Sequence, residues 1–302
     1  MNSRLSANRF IGLTLLYLAS IVVSTVQGAD VHYFGQTDSD IVSDIPYGNN
    51  PQAGRSVLAE DARIYYEVYG EKNNDVVLVL HGGGVGCAYE MGRFIDLLSK
   101  HRRVIVPSTR GQGKSEIGSL PITYERKAND MLAVVNQETS SSFDILGFSD
   151  GAYVAYKIAT MRPERVKKIV AIGAGENIPA TRKFPNTTLE ELAQFDKRFV
   201  EEKIALCPEP EKLPNFLSDY YAFFNAERIS KEIFGKIQAS VLFIVGELDL
   251  NAPLDTVVNA YKMTPHAQLA VIPNAPHQAF IVNFDAVWAC VEPFLLHKAT
   301  NE

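Results

Sequence analysis

The chain has 302 residues, of which 46% are hydrophobic, enough for one large core or a core with a smaller second unit. A formal charge of −6 and an isoelectric point near 5.6 offer no basic surface for nucleic acid or an anionic membrane. Three cysteines, Cys87, Cys207 and Cys290, are too few and of the wrong parity for a disulfide framework, and no metal or cofactor is expected.

Arg4 and Arg9 precede an uncharged apolar run from Ile11 to Val26, and small residues follow around Gly28 and Ala29. This is the pattern of a cleaved signal peptide over 1–28. It predicts a secreted or periplasmic protein with no stable membrane insertion after cleavage; an uncleaved anchor is the alternative, although the run is short for a bilayer span. Residues 29–52 are polar and aperiodic, an irregular N-terminal arm. Val57 to Tyr69 alternates around Glu60-Asp61, which predicts an edge hairpin. Val76 to Leu80 has no polar face and reads as a strand buried on both sides.

That strand leads into His81-Gly82-Gly83-Gly84-Val85-Gly86. Consecutive glycines allow backbone N–H groups to turn toward a ligand, and an acyl-transfer enzyme takes one oxyanion donor from such a loop; Gly83 is the candidate. A dinucleotide fingerprint would need its third glycine at Cys87 and is rejected. A helix over Tyr89 to Lys100 and a strand over Arg103 to Pro107 follow. Gly113-Lys114-Ser115 imitates the end of a phosphate loop, but Ser108 occupies the place of that motif's first glycine.

A helix from Thr123 to Thr139 precedes the short apolar run Phe143 to Leu146, then Gly147-Phe148-Ser149-Asp150-Gly151 and a helix that ends before Pro163. Serine flanked by glycine two residues to each side, between strand and helix, is the pattern of a nucleophile elbow. It makes Ser149 the candidate nucleophile and the N–H of Asp150 the second oxyanion donor. The Asp150 side chain is expected to cap the helix, or else to line the pocket and favour a cationic substrate. Val166 to Ile172 is a further buried strand, so strand and helix alternate as in an α/β protein with a mostly parallel central sheet and helices on both faces.

The alternation lapses over 177–236, a stretch with Phe184, Phe195, Phe199, Phe216, Tyr220, Tyr221, Phe223 and Phe224. This predicts a helical cap inserted into a core made of 53–176 and 237–302, with Phe223 and Phe224 as candidate pocket walls. The strands Val241 to Val245 and Leu269 to Ile272 resume the pattern, and a helix from Phe280 to His297 closes it.

A serine hydroxyl needs a base within hydrogen-bond reach and an acid to orient that base. His32 lies in the arm, His101 and His297 at helix ends, His266 in a connection and His81 beneath the glycine loop, where it braces. His277, after the last strand, suits the base, and Asp249, after the strand before it, suits the acid. Chain order Ser149, Asp249, His277 is that of the α/β-hydrolases. From about Tyr47 onward the chain resembles that superfamily, on the elbow, His81-Gly82-Gly83-Gly84, Arg110 to Ser115, Gly246-Glu247-Leu248-Asp249 and Pro276-His277.

The resemblance implies a serine hydrolase of a small-molecule ester or lactone; the exported form and Tyr47 to Pro51 are similar to bacterial small-ester hydrolases, some relatives of which open macrolide lactones. A ligand-sensing protein on the same fold is the competing expectation, and a structural module is disfavoured by retention of all three triad residues.

Overall fold

The computed structural model describes residues 31–37, 40, 42–179 and 183–296; the expected signal peptide over 1–28 and His297 lie outside the described residues. Gly54–Ala59 (β1) and Ala62–Tyr69 (β2) pair antiparallel around Glu60 at φ 51°. Val76–Leu80 (β3) is followed by a 3₁₀ turn, Ala88–Met91, and the helix Gly92–Leu98 (α1), so the single helix expected over 89–100 is a tight turn followed by two turns of α-helix. Arg103–Pro107 (β4), Tyr124–Glu138 (α2), Phe143–Phe148 (β5), Asp150–Met161 (α3) and Val166–Ile172 (β6) complete the first half. Thr123 caps α2 by accepting the Arg126 N–H at 3.0 Å, as its β-hydroxyl equips it to do.

Between β6 and the next strand come Leu189–Phe195 (α4), Lys197–Leu206 (α5), Leu213–Ala226 (α6) and Lys231–Phe234 (α7). Ser240–Gly246 (β7), Leu254–Met263 (α8) and Ala267–Ile272 (β8) return to the sheet. The closing helix is two pieces, Ala279–Val282 (α9) and Phe284–Leu296 (α10). Asn283 divides them, its side chain accepting the Ala286 N–H at 3.2 Å, a helix-starting role that asparagine favours.

The eight strands are ordered β1-β2-β4-β3-β5-β6-β7-β8; the first three pair antiparallel and the rest parallel. Alternate residues of β3 enter two cores. Val76, Leu78 and Leu80 pack with α2, α3 and α8, whereas Val77 and Val79 pack with α1 and α10. Each fully buried aliphatic side chain contributes about 1.5–3 kcal/mol, so this two-sided burial holds the central strands, and therefore their C-terminal ends, in fixed positions.

Candidate active site

After β3 the chain moves to β4 on one side, and after β4 it returns to β5 on the other. Where strand order reverses in this way, the loops leaving adjacent strands diverge and open a crevice. The glycine loop leaves β3 and the elbow leaves β5 at that point. Ser149 has φ 50° and ψ −117°, a conformation disfavoured for any residue with a side chain. The flanking residues allow it: a Cβ on Gly147 would sit 2.7 Å from the Ala152 nitrogen, and one on Gly151 2.6 Å from the Leu80 and His81 carbonyl oxygens.

Ser149, His277 and Asp249 form one hydrogen-bonded line. His277 Nδ1 is 2.8 Å from Asp249 Oδ2, and His277 Nε2 is 3.0 Å from Ser149 Oγ. A carboxylate can only accept, so Nδ1 carries the proton and Nε2 accepts from the serine hydroxyl. Asp249 is itself fixed, since Oδ1 accepts the N–H groups of Asn251 at 2.8 Å and Ala252 at 2.7 Å. Of the other carboxylates in this region, Glu247 accepts the Asn274 N–H and Asp255 the Thr256 N–H. A serine held in this way can pass its proton to the imidazole as it attacks a carbonyl carbon.

Gly83 and Asp150 are in contact beside Ser149: a Cβ on Gly83 would meet Asp150 Cβ at 2.7 Å. Asp150 is the first residue of α3, so its N–H has no acceptor within the helix. The loop that carries Gly83 is tied down on several sides. His81 Nδ1–H donates to the Gly82 carbonyl at 2.6 Å, and Nε2 accepts the Thr109 N–H at 3.0 Å; burial pushes its pKa down to about 4, so the ring is a neutral brace. Gln112 Nε2 and Lys203 Nζ donate to the Gly84 carbonyl at 3.1 and 3.3 Å.

The Asp150 side chain differs from both expectations. It neither caps α3 nor lines the cavity, because Lys127 of α2 forms a buried ion pair with it. Arg110, in the stretch that imitates a phosphate loop, is also structural: it bridges Asp130 at 2.8 Å and Asp61 at 2.6 Å. Cys87 is partly buried, and burial raises its thiol to about 12, which leaves it protonated and unreactive.

Ser149 and His277 open into a cavity of about 350 Å³ whose walls include Phe224, Tyr220, Tyr221 and Phe184 from the helical insert. Phe223 is not among them, and its assignment to the wall is corrected. One position along α6 turns it about 100° from Phe224, and it packs edge-on against Tyr124 at 4.9 Å instead. Tyr220 and Phe224, four residues apart, share the cavity face. Phe34 of the arm, Tyr153 of α3, Gln278 and Glu90 also line the cavity and were absent from the candidates drawn from sequence. Glu90 is buried, and burial raises its pKa to about 7.

Residues 75–284 match the family model described as the alpha/beta hydrolase fold. The chain is an α/β-hydrolase. It is 30% identical over 269 residues to the pimeloyl-[acyl-carrier protein] methyl ester esterase of Yersinia enterocolitica, covering 79% of this chain and 99% of the relative. It is 27% identical over 254 residues to the 2-hydroxymuconate semialdehyde hydrolase of a Pseudomonas species, covering 76% and 89%. Among solved structures, a meta-cleavage product hydrolase from Pseudomonas fluorescens superposes with a TM-score of 0.68 at 20% identity, over 81% of this chain and 98% of that one. A thermophilic esterase from Thermogutta terrifontis gives 0.63 at 20% identity, over 80% and 97%. These two share the α/β-hydrolase fold. Among the described residues, no helix is long and apolar enough to cross a membrane.

Proposed function

We propose that this α/β-hydrolase is a serine carboxylic-ester hydrolase acting through an acyl-enzyme on a small-molecule ester or lactone. The observation that carries the reading is the unbroken line Asp249–His277–Ser149 ending in a cavity with largely aromatic walls. In the first half-reaction Ser149 Oγ bonds to the carbonyl carbon while His277 Nε2 takes its proton. The carbonyl oxygen, now negative, faces the N–H groups of Gly83 and Asp150, and such preset donors are worth about 100- to 1,000-fold each. Collapse expels the alcohol, which receives the proton from His277; water then attacks the acyl-enzyme by the same path.

Cavity size bears on the substrate. About 350 Å³ is near the lower end of the range for small-molecule sites, which favours a small ester; a macrolactone would have to lie partly outside the cavity. A second reading, carbon–carbon bond hydrolysis, enters through the muconate-derived substrate named for one relative. A muconate is an anion, and no lysine or arginine lines this cavity among the described residues, so ester hydrolysis leads. Export through residues 1–28 is part of the proposal and predicts a mature N-terminus near Ala29 by mass spectrometry.

The test is a panel of chromogenic acyl esters, lactones, aryl amides and a dienoic semialdehyde, with pre-steady-state recording. Ester turnover with a burst of alcohol release is expected, and turnover confined to the semialdehyde would favour the second reading. Ser149→Ala should lower kcat on the order of a million-fold. Asp249→Asn should lower it by up to about ten-thousand-fold. Near-normal activity of the latter would transfer the orienting role to another carboxylate.

A further inference from the structure

Glu90 is a carboxyl group in the cavity that the proposed mechanism does not use. It stands in the 3₁₀ turn after the glycine loop, 3% exposed, and lines the cavity together with Ser149 and His277. Its Oε1 accepts the Gly82 N–H at 2.8 Å, while Oε2 has a long contact, 3.5 Å, with Gln278 Nε2. The nearby buried lysines are engaged elsewhere: Lys127 with the Asp150 carboxylate, and Lys203 with Gln112 Oε1 and the Gly84 carbonyl. A buried carboxylate without a cation is costly, and a ligand that brought one would relieve that cost.

The rest of the wall favours the same kind of ligand. Phe34, Phe148, Phe184, Tyr220, Tyr221 and Phe224 line the cavity, and aromatic faces attract cations, quaternary ammonium groups above all. Carboxylate and ring converge at Gly82, where a Cβ would stand 3.1 Å from the Phe148 ring and 3.2 Å from Glu90 Oε1. Phe148 in turn lies 4.9 Å from the His277 ring, so the acidic and aromatic surfaces adjoin the reacting atoms.

We propose that the site selects esters that carry an ammonium group, with Glu90 as its counter-ion and the surrounding rings as its cage. Burial raises the free carboxyl to about 7, and an arriving cation draws it to the anionic form. The inference rests on the ester-hydrolase reading and names its substrate class.

The test compares charged esters with neutral isosteres on the full-length protein. Butyrylcholine is paired with 3,3-dimethylbutyl butyrate, and ethyl 4-(trimethylammonio)butyrate with ethyl 5,5-dimethylhexanoate, which places the charge on either side of the scissile bond. In at least one pair the charged member should have kcat/KM about tenfold or more above its isostere, as an ion-pair contact with Glu90 and a cation–π contact imply. Glu90→Gln keeps an oxygen to accept the Gly82 N–H but removes the charge; it should collapse that ratio toward unity, the charged member losing far more of its kcat/KM than the neutral one.

Equal rates within both pairs in the wild type would overturn the proposal. A preference that survives in Glu90→Gln would overturn the role of Glu90, and an equal fall for both members would reduce that residue to a brace of the loop. Should no ester turn over, the ester-hydrolase reading fails separately, and calorimetric binding of each pair to Ser149→Ala decides the cation question: about tenfold tighter binding of a charged member sustains it, and equal binding overturns it. That binding comparison also stands if Glu90→Gln does not fold.

Discussion

The Tyr220 hydroxyl occupies the space where a side chain on Gly83 would begin: a Cβ there would lie 1.6 Å from Oη and 2.6 Å from Cζ. The insert therefore packs directly against the glycine loop through Tyr220. Burial and the Asp150 charge hold the Tyr220 pKa well above its usual 10, so the hydroxyl remains a neutral phenol at this contact. Gly83→Ala should move the loop, the helix α6, or both, and with them the donor proposed for the oxyanion. We expect kcat to fall by roughly 100-fold or more. Adding Tyr220→Ala should recover part of the loss, a coupling that a double-mutant cycle measures; strictly multiplicative effects would show that the contact does not transmit.

A second prediction separates strain from chemistry at the elbow. Ser149 holds φ 50° and ψ −117°, a conformation that costs on the order of 1–3 kcal/mol for a residue with a Cβ and little for glycine. Ser149→Ala should abolish turnover with almost no change in stability, since a single hydroxyl contributes little packing. Ser149→Gly should also be inactive but more stable than Ser149→Ala, by about 1 kcal/mol in urea unfolding once the greater freedom of unfolded glycine is subtracted. Equal stabilities would mean that the elbow is unstrained.

Features with a local signature are legible in the amino-acid sequence. The hairpin turn at Glu60, the two-sided strand Val76–Leu80 and the glycine pair around Ser149 each follow from neighbours in the chain. Asp249 and His277 could be chosen because the fold orders its strand ends, and they do meet. Glu90 and Phe34 could not, because each reaches the cavity only when separate segments pack together, and neither stands in a motif. Two misreadings had usable signals. Phe223 and Phe224 stand about 100° apart on one helix, so the two could not share one wall equally, and Asn283 followed by Phe284 and Asp285 marks a new helix start inside the supposed continuous one. Asp150 followed the general preference for carboxylates at helix starts, which the buried Lys127 overrides.

Stability should depend on pH through two buried groups with opposite signs. His81 is lowered from 6.5 to about 4, so its folded form binds fewer protons than the unfolded chain between those values, and stability is lost as pH falls through that window. Glu90 is raised from 4.5 to about 7, so its folded form binds more protons than the unfolded chain, and stability is lost as pH rises from about 4.5 to 7. Between about 4.5 and 6.5 the two slopes oppose, each at most about 1.4 kcal/mol per pH unit. Glu90→Gln removes one of them. Urea unfolding of that variant should show stability rising with pH over this window more steeply than in the wild type, and parallel curves would refute the shift assigned to Glu90.

The last prediction concerns selectivity, which the strand-end residues common to the fold can hardly supply. Phe224 is 8% exposed, lines the cavity and packs edge-on with Phe184 at 5.0 Å; Phe223, next to it, faces Tyr124 and the core. Truncating Phe224 to alanine removes wall area that only a larger acyl or alcohol group reaches. The kcat/KM for a bulky ester should therefore fall by a few kcal/mol of transition-state binding while that for an acetyl ester changes little. Phe223→Ala should act differently, lowering stability by about 3 kcal/mol or somewhat less, given its partial burial, with the ratio of large to small substrates unchanged. The pair tests the orientation of α6 directly: if Phe223→Ala shifts the ratio and Phe224→Ala does not, the helix presents its other face to the substrate.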